Sequence, residues 1–221
     1  MLEFTHNHST DLELIFQAID DRIPFVFSRF ADGERAAIEG RKTGTDGWFI
    51  NRNEKLSNLM KEAIQYSHPN YYLGISCPCC DLSSNRFYKK LITLPKEHVS
   101  YSTLFANGNT EVAKTLLRDL VNNVDIVGCK NEATIQIDKN MVQPLIDPTE
   151  TLEKMESGKD IILLAAGPYS CVLCYEYLKR GMKPKTIVDI GSALDGIYGR
   201  ITRNYHRAGH RNRSIVCRGV I

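Results

Sequence analysis

The sequence predicts an α/β fold, a largely parallel sheet with helices on both faces and right-handed crossovers. Three observations lead there. At least five short β-prone apolar runs alternate with segments of helical spacing along the 221 residues, the order expected of βαβ units. The run Asp160 to Ala165 (D-I-I-L-L-A) is almost continuously apolar, as a strand buried on both faces must be. Several runs end on small, polar or reactive residues, where α/β proteins place their ligands.

Taken in order, Ser9 and Asp11 precede an apolar pattern at Leu12, Leu14, Ile15, Ala18 and Ile19, a helix with an N-cap that packs beside the next strand. That strand lies in Ile23 to Glu34 (I-P-F-V-F-S-R-F-A-D-G-E). Pro24 separates it from a helix turn, because proline is tolerated at a strand's first residue and not in a helix interior. After the run come Arg29, Asp32, Gly33 and Glu34, and Arg35 to Glu39 open a helix. Two carboxylates flanking one glycine suit a hard divalent cation, Mg²⁺ or Mn²⁺, and an arginine just before them suits phosphate. The same spacing also suits Asp32 as an N-cap and Glu34 as a first-turn acid.

Gly40 to Gly47 reads as a surface loop, and W-F-I-N-R-N after it holds the only tryptophan. Trp48, Asn51 and Arg52 either close over a base or sugar, or Trp48 is a partly buried anchor and Asn51 to Asn53 cap a helix from Glu54 to Gln65. Tyr71 to Ser76 is a strand ending at Cys77-Pro78-Cys79-Cys80. His98 to Asn107 holds a short strand with Ser102 and Thr103 near its end, and Asn109 or Thr110 caps a helix to Val121. Val124 to Cys129 is a strand with Lys130 and Asn131 beyond it, Thr134 to Ile137 another, and Pro148 and Thr149 open a helix to Ser157. The Asp160 strand ends in Ala166-Gly167-Pro168; a helix from Tyr169 to Arg180 follows, with Gly181 as its C-cap. The strand in T-I-V-D-I-G-S then delivers Asp189 and Ser192, and Asp195 lies just beyond.

Composition sets the class. With 43% hydrophobic residues the chain buries a proper core, and its length suits one domain, residues 1–198, followed by a basic segment, 199–221. The chain lacks a run of about 18 apolar residues, and Met1 to Thr10 has no signal-peptide pattern, so a soluble cytoplasmic protein is expected. Seven cysteines, an odd number without an export signal, read as thiols rather than a disulfide framework. Two CxxC pairs, Cys77/Cys80 and Cys171/Cys174, match the usual zinc ligand set, but the second lies within a helical pattern as small core residues. The final segment carries six arginines and no acid, so the preceding 198 residues sum to about −4 against +2 for the whole chain. With Tyr205, His206 and His210 interleaved, it suits phosphate on a lipid-linked acceptor or a peripheral contact with the inner membrane face, or it is a solvated tail. Nucleic acid is not expected, because the rest of the chain is slightly acidic and has no binding motif.

S-R-F-A-D-G-E (Ser28 to Glu34) resembles the signature of the GT-D glycosyltransferases, a bacterial family first classed as a domain of unknown function. The unit of strand, Gly167-Pro168 turn, helix, and D-I-G at Asp189 resembles the same family in order and spacing. The resemblance spans about Phe27 to Asp195 and implies a Rossmann-like GT-D fold. It further implies a transferase using a nucleotide-diphosphate sugar, a UDP-sugar foremost, and a glycan, glycoprotein or lipid-linked acceptor. Asp32 and Glu34 would hold Mn²⁺ or Mg²⁺, and Arg29, Asp32, Gly33, Ser102, Thr103, Asn107, Lys130, Gly167, Pro168 and Ser192 would contact the donor. Ser192 stands where the family often has histidine, and Gly128-Cys129-Lys130 where it usually has Glu-Gly and a later arginine. For a general base, Asp189 or Asp195 is preferred to Glu34, because a metal ligand is a poor base. The rival readings are a nucleotide-binding α/β module without catalysis and a cysteine-held zinc protein, with a methyltransferase more distant.

Overall fold

The computed structural model describes residues 1–45, 48–50, 53–106, 110–137 and 147–200. Asn51, Arg52, Asn107 and the basic segment beyond Arg200 therefore lie outside the described residues.

Helix α1 (His8–Asp20) starts at Asn7, whose side-chain oxygen accepts the N–H groups of Ser9 and Thr10. The cap is thus Asn7, not Ser9 or Asp11. Asp11 is buried and takes the N–H and hydroxyl of Thr5 and the hydroxyl of Ser100. Strand β1 (Val26–Phe30) includes Arg29, so the arginine lies inside the strand rather than after it. Helix α2 (Asp32–Ile38) begins at Asp32, ahead of the predicted opening at Arg35, and its N-cap is Ala31. Where the sequence predicts a loop from Gly40 to Gly47, Thr43–Thr45 (β2) pairs antiparallel with Trp48–Ile50 (β3). Helix α3 (Glu54–Gln65) has the predicted bounds, with the Asn53 side chain accepting the Leu56 N–H at 3.0 Å.

The rest follows the predicted order: β4 (Tyr71–Ile75), α4 (Leu82–Lys89), β5 (Val99–Tyr101), α5 (Thr110–Leu120), β6 (Asp125–Gly128), β7 (Ile135–Gln136), α6 (Thr149–Ser157), β8 (Ile161–Ala165), α7 (Tyr169–Lys179), β9 (Thr186–Asp189) and α8 (Ala193–Ile197). Of these, α4, capped by Asp81, and the short α8 have no counterpart among the elements predicted from sequence. Seven strands form one sheet in the order β5-β4-β1-β9-β8-β6-β7, and every pairing in it is parallel.

Strand alternation divides the core into two layers. Val26, Phe30, Leu73, Ile162 and Ile187 face one side with residues of α2, α3, α6 and α7. Phe25, Phe27, Tyr72, Leu163 and Val188 face the other with residues of α1, α5 and α8. The handedness rule accounts for the split. Steps from β1 to β4, β7 to β8 and β8 to β9 all move in one direction across the sheet and leave their helices on one face; the long return from β5 to β6 puts α5 on the other. At the adjacent strands β1 and β9 the chain leaves toward opposite faces, through α2 and α8 respectively. That divergence opens a crevice beyond the carboxyl ends of the two strands, where ligands bind in open α/β sheets.

Candidate active site

The crevice is built from the residues that follow β1 and β9. In α2, Glu34 turns back so that its Oε2 accepts the Ala31 N–H at 2.9 Å, while alanine offers no side-chain acceptor in return. Asp32, at the first helical position, is exposed. The Tyr88 hydroxyl donates to the Ala31 carbonyl and holds the turn from the α4 side. Burial is the largest influence on the Glu34 carboxyl and pushes it above the usual range, against the Ala31 N–H and the Arg29 charge.

Asp189, at the end of β9, is 5% exposed and bridges the two strands. Its Oδ2 accepts the Arg29 N–H at 3.3 Å and its Oδ1 the Gly191 N–H at 3.0 Å. Burial pushes its carboxyl up to about 7, with Glu34 adding to the rise and Arg29 opposing it. Gly191 has φ +55°, and a Cβ there would stand 2.7 Å from Nη1 of Arg29, so the guanidinium lies against a turn that only glycine fits. The Arg29 Nε is buried with no hydrogen-bond partner. Behind the strand, the Cys171 thiol donates to the Arg29 carbonyl at 3.0 Å. Arg29, Glu34 and Asp189 thus form one electrostatic group around the seam between β1 and β9.

No family model matches the chain, and no curated protein matches it by sequence. Solved structures do match. One, of the highly conserved domain of unknown function 1792, described as a distinct glycosyltransferase fold, superposes with a TM-score of 0.61 at 16% identity, covering 85% of this chain and 79% of its own. A second, a glycosyltransferase of that domain from Streptococcus sanguinis, has a TM-score of 0.56 at 16% identity over 95% of this chain and 92% of its own. The fold is a glycosyltransferase fold. It is the α/β, Rossmann-like architecture that the resemblance to the GT-D family implied.

Within this glycosyltransferase fold the predicted residues separate into groups. Arg29, Asp32, Gly33, Glu34, Asp189 and Ser192 surround the crevice, with Ser192 as the N-cap of α8. Gly167, at φ +57°, and Pro168, the N-cap of α7, stand at the end of the neighbouring β8, where first-turn N–H groups attract anions. Lys130 forms an ion pair with Asp195, which is 4% exposed, so these two neutralise each other across the end of β6 and α8. Ser102 is buried, with its N–H donated to the Ile75 carbonyl at 2.8 Å, and the Thr103 hydroxyl lies 2.9 Å from Nε2 of His8. The second cysteine pair, Cys171 and Cys174, is core, as its helical setting predicted.

Three contributors escape the sequence-based prediction: Gly191, Cys171 and Tyr88. Gly191 is within reach of it, since it is the glycine of D-I-G. The other two carry no local signal, because their partners lie 142 and 57 residues away.

Proposed function

We propose that the chain is a metal-dependent glycosyltransferase that moves a sugar from a nucleotide-diphosphate donor, a UDP-sugar, to a glycan or glycoconjugate acceptor. The observation that carries this reading is the Arg29 Nε, a buried donor that makes no hydrogen bond although two carboxyl groups lie near the guanidinium at the carboxyl ends of β1 and β9. A buried guanidinium N–H left without a hydrogen bond can take an anionic ligand, and phosphate oxygens match the guanidinium fork. The glycosyltransferase fold of the similar structures supports the same reading.

The residues fit a divalent cation that brings most of its own ligands. Asp32 presents an exposed carboxylate, and Glu34 spends one oxygen on Ala31 and keeps the other. Among the described residues the acids do not gather three ligand atoms around one point. Two carboxylates completed by water and substrate phosphate is the usual manner of Mg²⁺ and Mn²⁺. Asp32 and Glu34 would hold the ion, which when bound supplies charge neutralisation for the departing diphosphate.

Arg29 binds the phosphate oxygens and is held in place by the Gly191 turn. The N–H groups that open α7 beyond Gly167 and Pro168 orient the anionic end of the donor, and Ser192 and Gly33 line the crevice. Asp189 takes the acceptor's proton: each of its oxygens accepts one N–H and keeps a second lone pair, and a carboxyl near 7 is matched to a base working at neutral pH. Asp195 is assigned to holding Lys130 instead. No helix among the described residues is long and apolar enough to cross a membrane, and we assign the enzyme to the cytoplasm, with the basic segment reaching the inner membrane face.

The test is thermal stabilisation by a panel of nucleotide diphosphates and nucleotide sugars, with and without Mn²⁺, on the wild type and Asp32→Ala. Binding to the native state raises Tm by mass action. The expected result is a shift with one donor class that requires Mn²⁺ and is lost in Asp32→Ala. Release of nucleotide diphosphate from that donor then separates an enzyme from a binding module. Absence of a shift with every nucleotide would overturn the proposal.

A further inference from the structure

A second site stands one strand away from the crevice. Strand β4 pairs with β1 through Ile75 and Phe30, and beyond Ile75 the chain folds into a tight turn. The N–H groups of Cys80 and Asp81 both donate to the Cys77 carbonyl, at 3.1 and 2.9 Å. Three thiols converge on this turn. The Sγ atoms of Cys77 and Cys79 are 2.7 Å apart and those of Cys79 and Cys80 3.8 Å apart, and all three lie within 4.8 Å of one another. Cys77 is buried while Cys79 and Cys80 are exposed, so the cluster is anchored from below and open above.

We propose that Cys77, Cys79 and Cys80 form a three-thiolate site for Zn²⁺, its fourth position left to water or an exogenous ligand. Thiolates are the soft donors that select zinc over the hard cations suited to carboxylates, so this site and the carboxylates of the crevice call for different metals. Tetrahedral Zn–S bonds of about 2.3 Å set the sulfurs about 3.8 Å apart. The Cys79–Cys80 separation matches that spacing already, Cys77 and Cys79 would move apart by about one ångström, and Cys77 and Cys80 already lie within 4.8 Å of each other. Binding replaces the thiol protons with the ion and releases them to solvent.

The site also has a structural reach. The turn leads directly into α4, whose first residues Ser83 and Ser84 accept hydrogen bonds from Arg35 of α2 at 2.9 and 3.2 Å. Zinc on the cysteines would therefore stiffen the turn that braces the helix carrying Asp32 and Glu34. The assignment does not depend on glycosyl transfer.

The experiment is titration of the full chain, reduced and stripped of metal, with Co²⁺ followed by Zn²⁺. One Co²⁺ per chain, producing a sulfur-to-cobalt charge-transfer band that Zn²⁺ abolishes, is the expected result. Because Cys79 and Cys80 are exposed, Cys79→Ser and Cys80→Ser retain the fold, and each lowers metal affinity at least about tenfold, no less than loss of a merely supporting partner does. Cys129→Ser leaves the titration unchanged, and Mn²⁺ produces no such band. Absence of the band in the reduced wild type, an undiminished band in both single variants, or a Cys77–Cys79 disulfide in protein kept under reductant would overturn the assignment. The thermal shift with nucleotide in Cys79→Ser is read separately, so failure here leaves the reading of the crevice standing or falling on its own test.

Discussion

At Asp189, burial and hydrogen bonding pull in opposite directions, and burial wins. Two N–H donors and the Arg29 charge favour the carboxylate, yet desolvation pushes the group up to about 7. Glu34 is displaced the same way for the same reason. The sign for stability follows. Between the usual carboxylate range near 4 and about 7, the folded chain keeps protons that the unfolded chain has released, so stability falls as pH rises through that window. The slope approaches about 1.4 kcal/mol per pH unit for one group. Asp189→Asn is expected to flatten this part of the pH–stability profile, measured by denaturant midpoints from pH 4 to 8. The amide's NH₂ faces one of the two backbone donors, so the variant also loses about 1–3 kcal/mol at low pH. Turnover of the donor, where Asp189 serves as base, should rise with pH through about 7 in the wild type and collapse in the variant. An unchanged profile in Asp189→Asn would remove the residue from both roles.

Two glycines at the level of the element make opposite predictions. Gly191 sits at φ +55° in the turn between β9 and α8, against the Arg29 guanidinium. Gly191→Ala costs about 1–2 kcal/mol for the left-handed backbone and pushes Arg29 aside. Lower Tm together with weaker donor-induced stabilisation is therefore expected. Gly33 lies in the first turn of α2, and a methyl group added there would meet nothing within 4 Å, so Gly33→Ala gains about 0.5–1 kcal/mol of helix stability. Shifts of Tm in the same direction for both variants would contradict this assignment of the two turns. Helix starts differ in the same way. Asn53 and Asp81 begin their helices by accepting N–H groups on their own side chains, and only the Asn53 cap was read from the sequence, whereas α2 begins at an alanine and borrows the Glu34 carboxylate from inside its own first turn.

On the scale of the whole molecule, β1 and β9 form the seam between the early and late strands. Ile187 donates its N–H to Phe25 and the Thr186 hydroxyl to Ile23, while residues of α7 pack in the same layer as β1. Neither half of the sheet can lose the other without exposing both core layers. A single cooperative transition is therefore expected in denaturant, with near-UV circular dichroism of the buried tyrosines on both halves coinciding with far-UV circular dichroism. Separate midpoints for the two probes would show that the halves unfold independently.

Most of the elements follow from local signals in the sequence. Pro24, the apolar run at Asp160, the cap at Asn53 and the Gly167-Pro168 turn are signals that act over a few residues, so most strands and helices and their order were legible without the fold, whereas α4 and α8 were not. Asp32 and Glu34 were legible for the same reason, since their pairing is local. Where local signals are weak or shared, they mislead: Ser9, Asp11 and Asn7 all suit a cap, and the Gly-rich stretch at Gly40 reads as loop although part of it pairs as a hairpin. The tertiary structure alone decided that β9 lies beside β1, which brings Asp189 onto the backbone of a residue 160 positions away. It also decided that Lys130 answers Asp195. Strand pairing carries no local code, and a buried carboxyl acquires its acidity from whatever packs around it.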